Sequence, residues 1–132
     1  MIGVDTNVVL RLIVEDDAEQ SRRAAKFVES HCTSDSPGFI NRITLCETIW
    51  VLKSGHGYDR GKIAAAIKRI TETVYFVVED REHVQRALDR FERAAIDFAD
   101  ALVAEVNRAH GCDSTATFDR KAARLDGFVL VR

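Results

Sequence analysis

Four carboxylates, Asp5, Glu47, Asp100 and Asp119, occupy positions from which a parallel α/β chain would send them to one end of its sheet. Asp5 closes the apolar run Met1-Ile2-Gly3-Val4, and Asp119 follows Ser114-Thr115-Ala116-Thr117-Phe118. Glu47 and Asp100 fall early in helix-forming segments opening at Thr44 and Asp97. In a right-handed βαβ path a helix begins near the edge where its preceding strand ended, and that carboxyl edge is where such sheets build sites. Each acid also has a plain structural role open to it. Asp5 can cap a helix, Glu47 stands at capping-box distance from Thr44, Asp100 can be an N3 acid behind an Asp97 cap, and Asp119 can cap a short basic helix. Gathered at one edge, however, the carboxylates raise one another's pKa values unless a cation neutralises them. Donors that are all oxygen favour magnesium or manganese over zinc, and none of the four His residues stands beside these acids. A hard ion on carboxylates suits phosphodiester hydrolysis, because it holds a non-bridging oxygen, lowers the pKa of a water and stabilises the departing oxygen. One ion or two fit this reading. No Ser-His-Asp arrangement competes, and Gly55-x-Gly57 is too short and too late after a helix to be a nucleotide fingerprint.

The elements that must position these acids follow from patterning. After the strand ending at Asp5, Val8 to Ile13 forms an apolar helical turn, with Thr6 and Asn7 as capping candidates. Glu15-Asp16-Asp17 starts a second helix, and Ala18 to His31 carries Ala24, Ala25, Phe27 and Val28 on one face. Ser34 to Gly38 is a turn holding the only proline, and Phe39-Ile40 is the middle of a second strand. The helix from Thr44 ends at Ser54-Gly55-His56-Gly57-Tyr58; the next, from about Asp59, places Ile63, Ile67, Ile70 and Val74 on one face. Val74 to Val78 has the composition of a third strand. A helix bearing Val84, Ala87, Leu88, Phe91 and Ala95 follows, then one from Asp97 to a C-cap at Gly111. A fourth strand, a basic helix with Arg120, Lys121 and Arg124, and a last strand, Phe128 to Val131, complete the chain. Strands in continuous apolar runs separated by helices predict a parallel sheet covered on both faces.

At 132 residues, 46% apolar and 30% charged, the chain reads as one ordinary globular domain. No apolar stretch approaches membrane-spanning length and the chain opens on a strand pattern, so neither a membrane anchor nor a signal or transit peptide is expected. Cys32, Cys46 and Cys112 are odd in number and widely spaced, which points to reduced thiols in the cytoplasm. The net charge of −2 gives no bulk attraction for nucleic acid. A polyanionic substrate would need local cations.

Val4-Asp5-Thr6-Asn7-Val8-Val9-Leu10, Thr44-Leu45-Cys46-Glu47-Thr48-Ile49-Trp50-Val51-Leu52, Asp97-Phe98-Ala99-Asp100-Ala101-Leu102 and Thr117-Phe118-Asp119-Arg120-Lys121 together resemble a PIN domain. More narrowly, they look like the VapC-type toxins of bacterial and archaeal toxin–antitoxin pairs. The resemblance covers essentially residues 1–132 as a single PIN domain. It implies a Rossmann-like α/β/α sandwich around a central, mostly parallel sheet of about five short strands. It implies magnesium- or manganese-dependent ribonuclease activity, with Asp5 and Asp100 the most direct metal ligands and Glu47 and Asp119 completing the pocket. Thr6, Asn7, Asp97 and Thr117 would orient the carboxylates or a water. The implied partners are an RNA substrate, a small cognate antitoxin that blocks the acidic site, and a second copy of the chain in a homodimer or a larger toxin–antitoxin assembly. The antitoxin would dock near Val51 to Tyr58 and the helix after Asp59, and Arg11, Arg42, Arg120, Lys121 and Arg124 could line an RNA path. A structure-specific DNA nuclease on the same site, and a non-catalytic PIN-like module binding RNA or protein, remain as alternatives.

Overall fold

The computed structural model describes residues 1–132 and divides into two compact units, Met1–Arg81 and Glu82–Arg132. In the first unit the elements are β1 (Ile2–Gly3), α1 (Thr6–Ile13), α2 (Ala18–His31), β2 (Gly38–Ile40), α3 (Arg42–Ser54), α4 (Arg60–Glu72) and β3 (Phe76–Val78). The strands form a parallel sheet in the order β1-β2-β3, with Ile2 paired to Gly38 and Gly38 to Phe76. The parallel ladder runs on at its carboxyl end, where Val4 N donates to Phe39 O and Glu79 N to Ile40 O, both at 2.9 Å. Gly38 has a steric reason to lack a side chain. A Cβ there would lie 2.9 Å from both Cys32 Sγ and Val4 Cγ2.

Apolar burial holds the helices of this unit. Val9 of α1, Leu45, Ile49 and Leu52 of α3, and Ile63, Ala64 and Ile67 of α4 are each no more than 4% exposed. Capping starts three of the helices where polar residues interrupt the pattern: Asp17, Asn41 and Asp59 accept from Gln20 N, Thr44 N and Lys62 N. The turn from α3 to α4 passes through Gly57 at φ +64°, a conformation that favours glycine.

The second unit contains α5 (Arg81–Ala94, whose first residue ends the first unit), α6 (Phe98–Ala109), β4 (Thr115–Thr117), a 3-10 turn (Ala122–Arg124) and β5 (Phe128–Leu130). Strands β4 and β5 pair in parallel, Thr115 with Phe128 and Thr117 with Leu130. Val84, Ala87, Leu88 and Phe91 of α5 and Phe98, Ala101 and Leu102 of α6 are buried, and the Phe91 and Phe98 rings meet edge to face at 6.5 Å. Glu105 of α6 is 4% exposed, and its carboxylate is met by Arg86 Nε at 3.2 Å and Arg90 Nη1 at 3.9 Å. Arg90 also donates to Asp126 O at 2.6 Å, so one guanidinium ties α5, α6 and the turn before β5.

Five short strands, every pairing parallel, and six helices give the expected α/β class. Hydrogen bonding groups the strands as three and two. Val74 is an exception to the expected pattern: α4 ends at Glu72 and β3 starts only at Phe76, which leaves Val74 65% exposed. The ladder stops there because β2 begins at Gly38. No helix is long and apolar enough to cross a membrane.

Candidate active site

In the first unit the acidic residues are positioned by the carboxyl end of the parallel sheet. Asp5 follows β1 directly and occupies the N-cap position of α1, with extended backbone at φ −83° and ψ 162°. Its side chain makes no capping hydrogen bond. The structural role open to it from the sequence is therefore not the one it takes, and the exposed carboxylate faces solvent. Thr6 and Asn7 begin the helix rather than cap it. Thr6 is buried, and its hydroxyl donates to Glu47 Oε2 at 3.3 Å across 41 positions of sequence. Thr6 thus ties the residue beside Asp5 to Glu47.

Glu47 requires a correction. The capping box expected from Thr44-x-x-Glu47 does not form, because α3 starts earlier, at Arg42 behind an Asn41 cap whose Oδ1 accepts from Thr44 N at 2.8 Å. Asn41 competes successfully because its short amide reaches N3 directly. Glu47 then lies in the second turn, not the first, with its carboxylate exposed and held by Thr6. Its neighbour Cys46 stays a neutral thiol: burial pushes its pKa up, against a smaller opposing pull from Arg42.

Two acids at the same sheet end escaped the sequence reading. Glu79 and Asp80 follow β3 directly, and Arg42 takes both: its backbone N–H donates to Glu79 Oε1 at 2.9 Å, and its guanidinium lies 3.3 Å from Glu79 and 2.9 Å from Asp80. Their position immediately after an apolar strand run was the available signal. The pairing with Arg42 separates them from the uncompensated Asp5 and Glu47. It also takes Arg42 out of the residues free to line an RNA path.

In the second unit Asp97 stands at the N-cap position of α6, again with no side-chain capping bond, and Asp100 lies in the first turn. Asp100 has its pKa raised, first by desolvation, then by the negative charges of Asp97 and Asp119. Three of the acids singled out in the sequence therefore act on one another electrostatically. Asp119 does not occupy the N-cap position of the 3-10 turn, which is Lys121, because the turn starts only at Ala122. Its Oδ1 instead accepts from Lys121 N at 2.8 Å and Ala122 N at 3.3 Å in the turn before it, while the hydroxyl of Thr117 accepts from Asp119 N at 3.0 Å. These bonds engage one carboxylate oxygen and leave Oδ2 outside the turn.

The raised pKa of Asp100 has a direction for stability. A carboxyl with a higher pKa in the folded chain than in the unfolded one favours folding fully below the unfolded value, and that contribution is lost as pH rises through the folded value. Asp100→Asn is therefore expected to melt above the parent protein at neutral pH and level with it in acid below the ordinary carboxylate range. Circular-dichroism melts at the two pH values check this; a variant that melts lower at neutral pH contradicts the assignment.

In each unit, taken by itself, the donor chemistry fits a hard divalent ion. Asp5, Glu47, Asp97, Asp100 and Asp119 are all exposed carboxylates, the adjacent thiol is neutral, and three of the histidines have contacts elsewhere, His31 on the Phe27 ring, His56 against Tyr58 and His110 Nδ1 at Val106 O. No three His, Cys, Asp or Glu side chains are gathered tightly enough to form a ready-made metal cage. Among the basic residues, Arg11 is paired with Asp16, whereas Arg120, Lys121 and Arg124 are exposed around the 3-10 turn. Curated proteins give no match to the chain. The PIN-domain family model, however, matches residues 2–128 and spans all of the acids described above, and the chain therefore belongs to the PIN-domain family.

Proposed function

We propose that this protein is a magnesium- or manganese-dependent endoribonuclease, the toxin of a type II, VapBC-like toxin–antitoxin pair in the cytoplasm. Family membership supports a nuclease that works with a divalent ion. The observation that carries the reading is the behaviour of Asp5. It sits where a helix offers it capping bonds and makes none, beside a threonine that holds Glu47 instead.

In this reading Asp5 and Asp100 are the direct ligands, Glu47 is oriented by the Thr6 hydroxyl, and Asp119 contributes the oxygen its turn does not use. Asp97 keeps negative charge beside Asp100, and Thr117 fixes the backbone of Asp119. Asn7, in the first turn of α1, offers an amide to a water or phosphate oxygen. A bound hard ion supplies charge neutralisation for the phosphodiester and acidifies a water. The antitoxin would dock on the α3–α4 hairpin, where Ile43 and Trp50 of α3 are 70% and 68% exposed.

Purified protein incubated with single-stranded RNA and, separately, with a DNA flap tests the assignment. RNA cleavage that stops on chelation and returns with magnesium or manganese is the expected result. Cleavage of the flap alone would move the protein to the DNA nucleases, and the absence of both cleavage and manganese binding would leave a binding module.

A further inference from the structure

A groove of about 330 Å³ lies between α1 and α2 in the first unit, lined by Asn7, Val8 and Arg11 on one side and by Arg23, Ala24 and Phe27 on the other. We infer that this groove is a subsite for single-stranded RNA, in which Phe27 stacks on a nucleobase and Arg23 meets a flanking phosphate. The inference rests on the ribonuclease reading and extends it from the acidic site to the strand that passes it.

Position is the first argument. Asn7, two residues after Asp5 in the first turn of α1, lines the groove, so the groove reaches the end of α1 that carries Asp5. Charge is the second. Each of the two arginines in the lining has an acid beside it, and the two pairings differ in strength. Arg11 is engaged by Asp16 from the α1–α2 loop. Arg23 is bound only loosely, to Glu19 at 3.5 Å with both side chains largely exposed, so a phosphate can compete for it.

Chemistry of the aromatic is the third. Phe27 is 43% exposed, yet its ring is ordered from behind: it stacks on His31 with centroids 4.0 Å apart and planes 12° from parallel. His31 is in turn fixed by the contact of its Nδ1 with Phe27 O at 3.0 Å. A ring stacked from behind, beside a cation that a phosphate can reach, is a combination that binds single strands irrespective of sequence, because every base offers a π-face and every linkage a charge. Val8 and Ala24 supply an apolar floor for a base edge. The lining is mostly apolar, so an amphipathic helix is the competing occupant, and the exposed Arg23 guanidinium on the wall is what favours the polyanion.

The test is binding of a fluorescein-labelled, 2′-O-methylated single strand, followed by anisotropy in chelator so that no cleavage intervenes. Phe27→Ala is expected to weaken binding by between about fivefold and about a hundredfold, and Phe27→Trp to restore it. Arg23→Gln, at a side chain 77% exposed and so without consequence for folding, is expected to lower the slope of log affinity against log salt by about 0.7. Equal affinity in Phe27→Ala and an equal slope in Arg23→Gln overturn the inference. So does a sedimentation result in which Phe27→Ala dissociates a dimer while strand binding is unchanged, since the groove would then join two copies. If the parent protein binds the strand through Phe27 but never cleaves RNA, the catalytic reading fails and the subsite stands. If it cleaves RNA and binds indifferently to Phe27, the subsite alone falls.

Discussion

Asp5→Asn is expected to leave a folded protein whose RNA cleavage is slower by a factor of about 100 to about 1000. The magnitude follows from the several kcal/mol that a divalent ion contributes to a phosphodiester transition state, each 1.36 kcal/mol being tenfold in rate. The two halves of this expectation have separate grounds. Folding is spared because the Asp5 carboxylate makes no capping bond and is exposed, so the isosteric amide loses no packing and no hydrogen bond. The backbone carbonyl of Asp5, which accepts from Val9 N at 3.1 Å and Val8 N at 3.0 Å, is untouched by the substitution. Activity is lost because an amide is a poor ligand for a hard cation beside a charged carboxylate. Single-turnover cleavage of labelled RNA, read beside a melting curve, measures both. A variant as active as the parent protein would sink the metal-site assignment. The same substitution at Asp100 is expected to cost a similar factor in rate while relieving repulsion from Asp97 and Asp119.

Phe91→Ala is expected to be the most damaging single truncation in the second unit, costing about 3–5 kcal/mol. Phe91 is 1% exposed and among the largest fully buried side chains. Its removal opens a cavity and discards the edge-to-face contact with Phe98 at 84° between planes, a geometry worth about 0.5–1.5 kcal/mol beyond area. Against a total stability of about 5–15 kcal/mol this is a large fraction. Urea titration at neutral pH measures it. A loss below about 1 kcal/mol would mean that α5 and α6 collapse into the space, which the cavity term permits only with substantial rearrangement. The loss also reaches the candidate site. Phe98 lies between Asp97 and Asp100, and its ring is what seats the first turn of α6. Weaker cleavage in the truncated protein, restored by Phe91→Leu in proportion to regained stability, is the expected companion result.

Much of this architecture is legible from patterning alone, because apolar period and turn chemistry are local. Ala18 to His31 is found as α2 residue for residue, and Asp59 caps α4 where the spacing places it. The sheet-end location of Asp5 is likewise carried by the short apolar run before it. Competition between local options is what the sequence hides. Thr44 and Asn41 both offer an N-cap, and only the path of the chain from β2 decides for Asn41, which moves Glu47 into the second turn. The Thr6–Glu47 bond spans 41 positions and the Arg42–Glu79 bond 37, and no periodicity encodes such pairs. The groove between α1 and α2 was invisible for the same reason, since Phe27 reads as one apolar residue of a helix face until its stacking on His31 is seen.

Arg42 has a mechanical meaning beyond charge. A helix that carries a reactive side chain ordinarily keeps one soft coordinate, rolling about its own axis, and a roll of a few degrees swings a glutamate tip by a sizeable arc. At the start of α3 that coordinate is pinned. The Arg42 amide, its Nε and its Nη1 grip Glu79 and Asp80 at the end of β3, one residue after the Asn41 cap fixes the helix entry. Rolling α3 would have to break all of these together. The reach of Glu47 is then set by its own side-chain torsions, and these are the only degrees of freedom that Thr6 has to restrain.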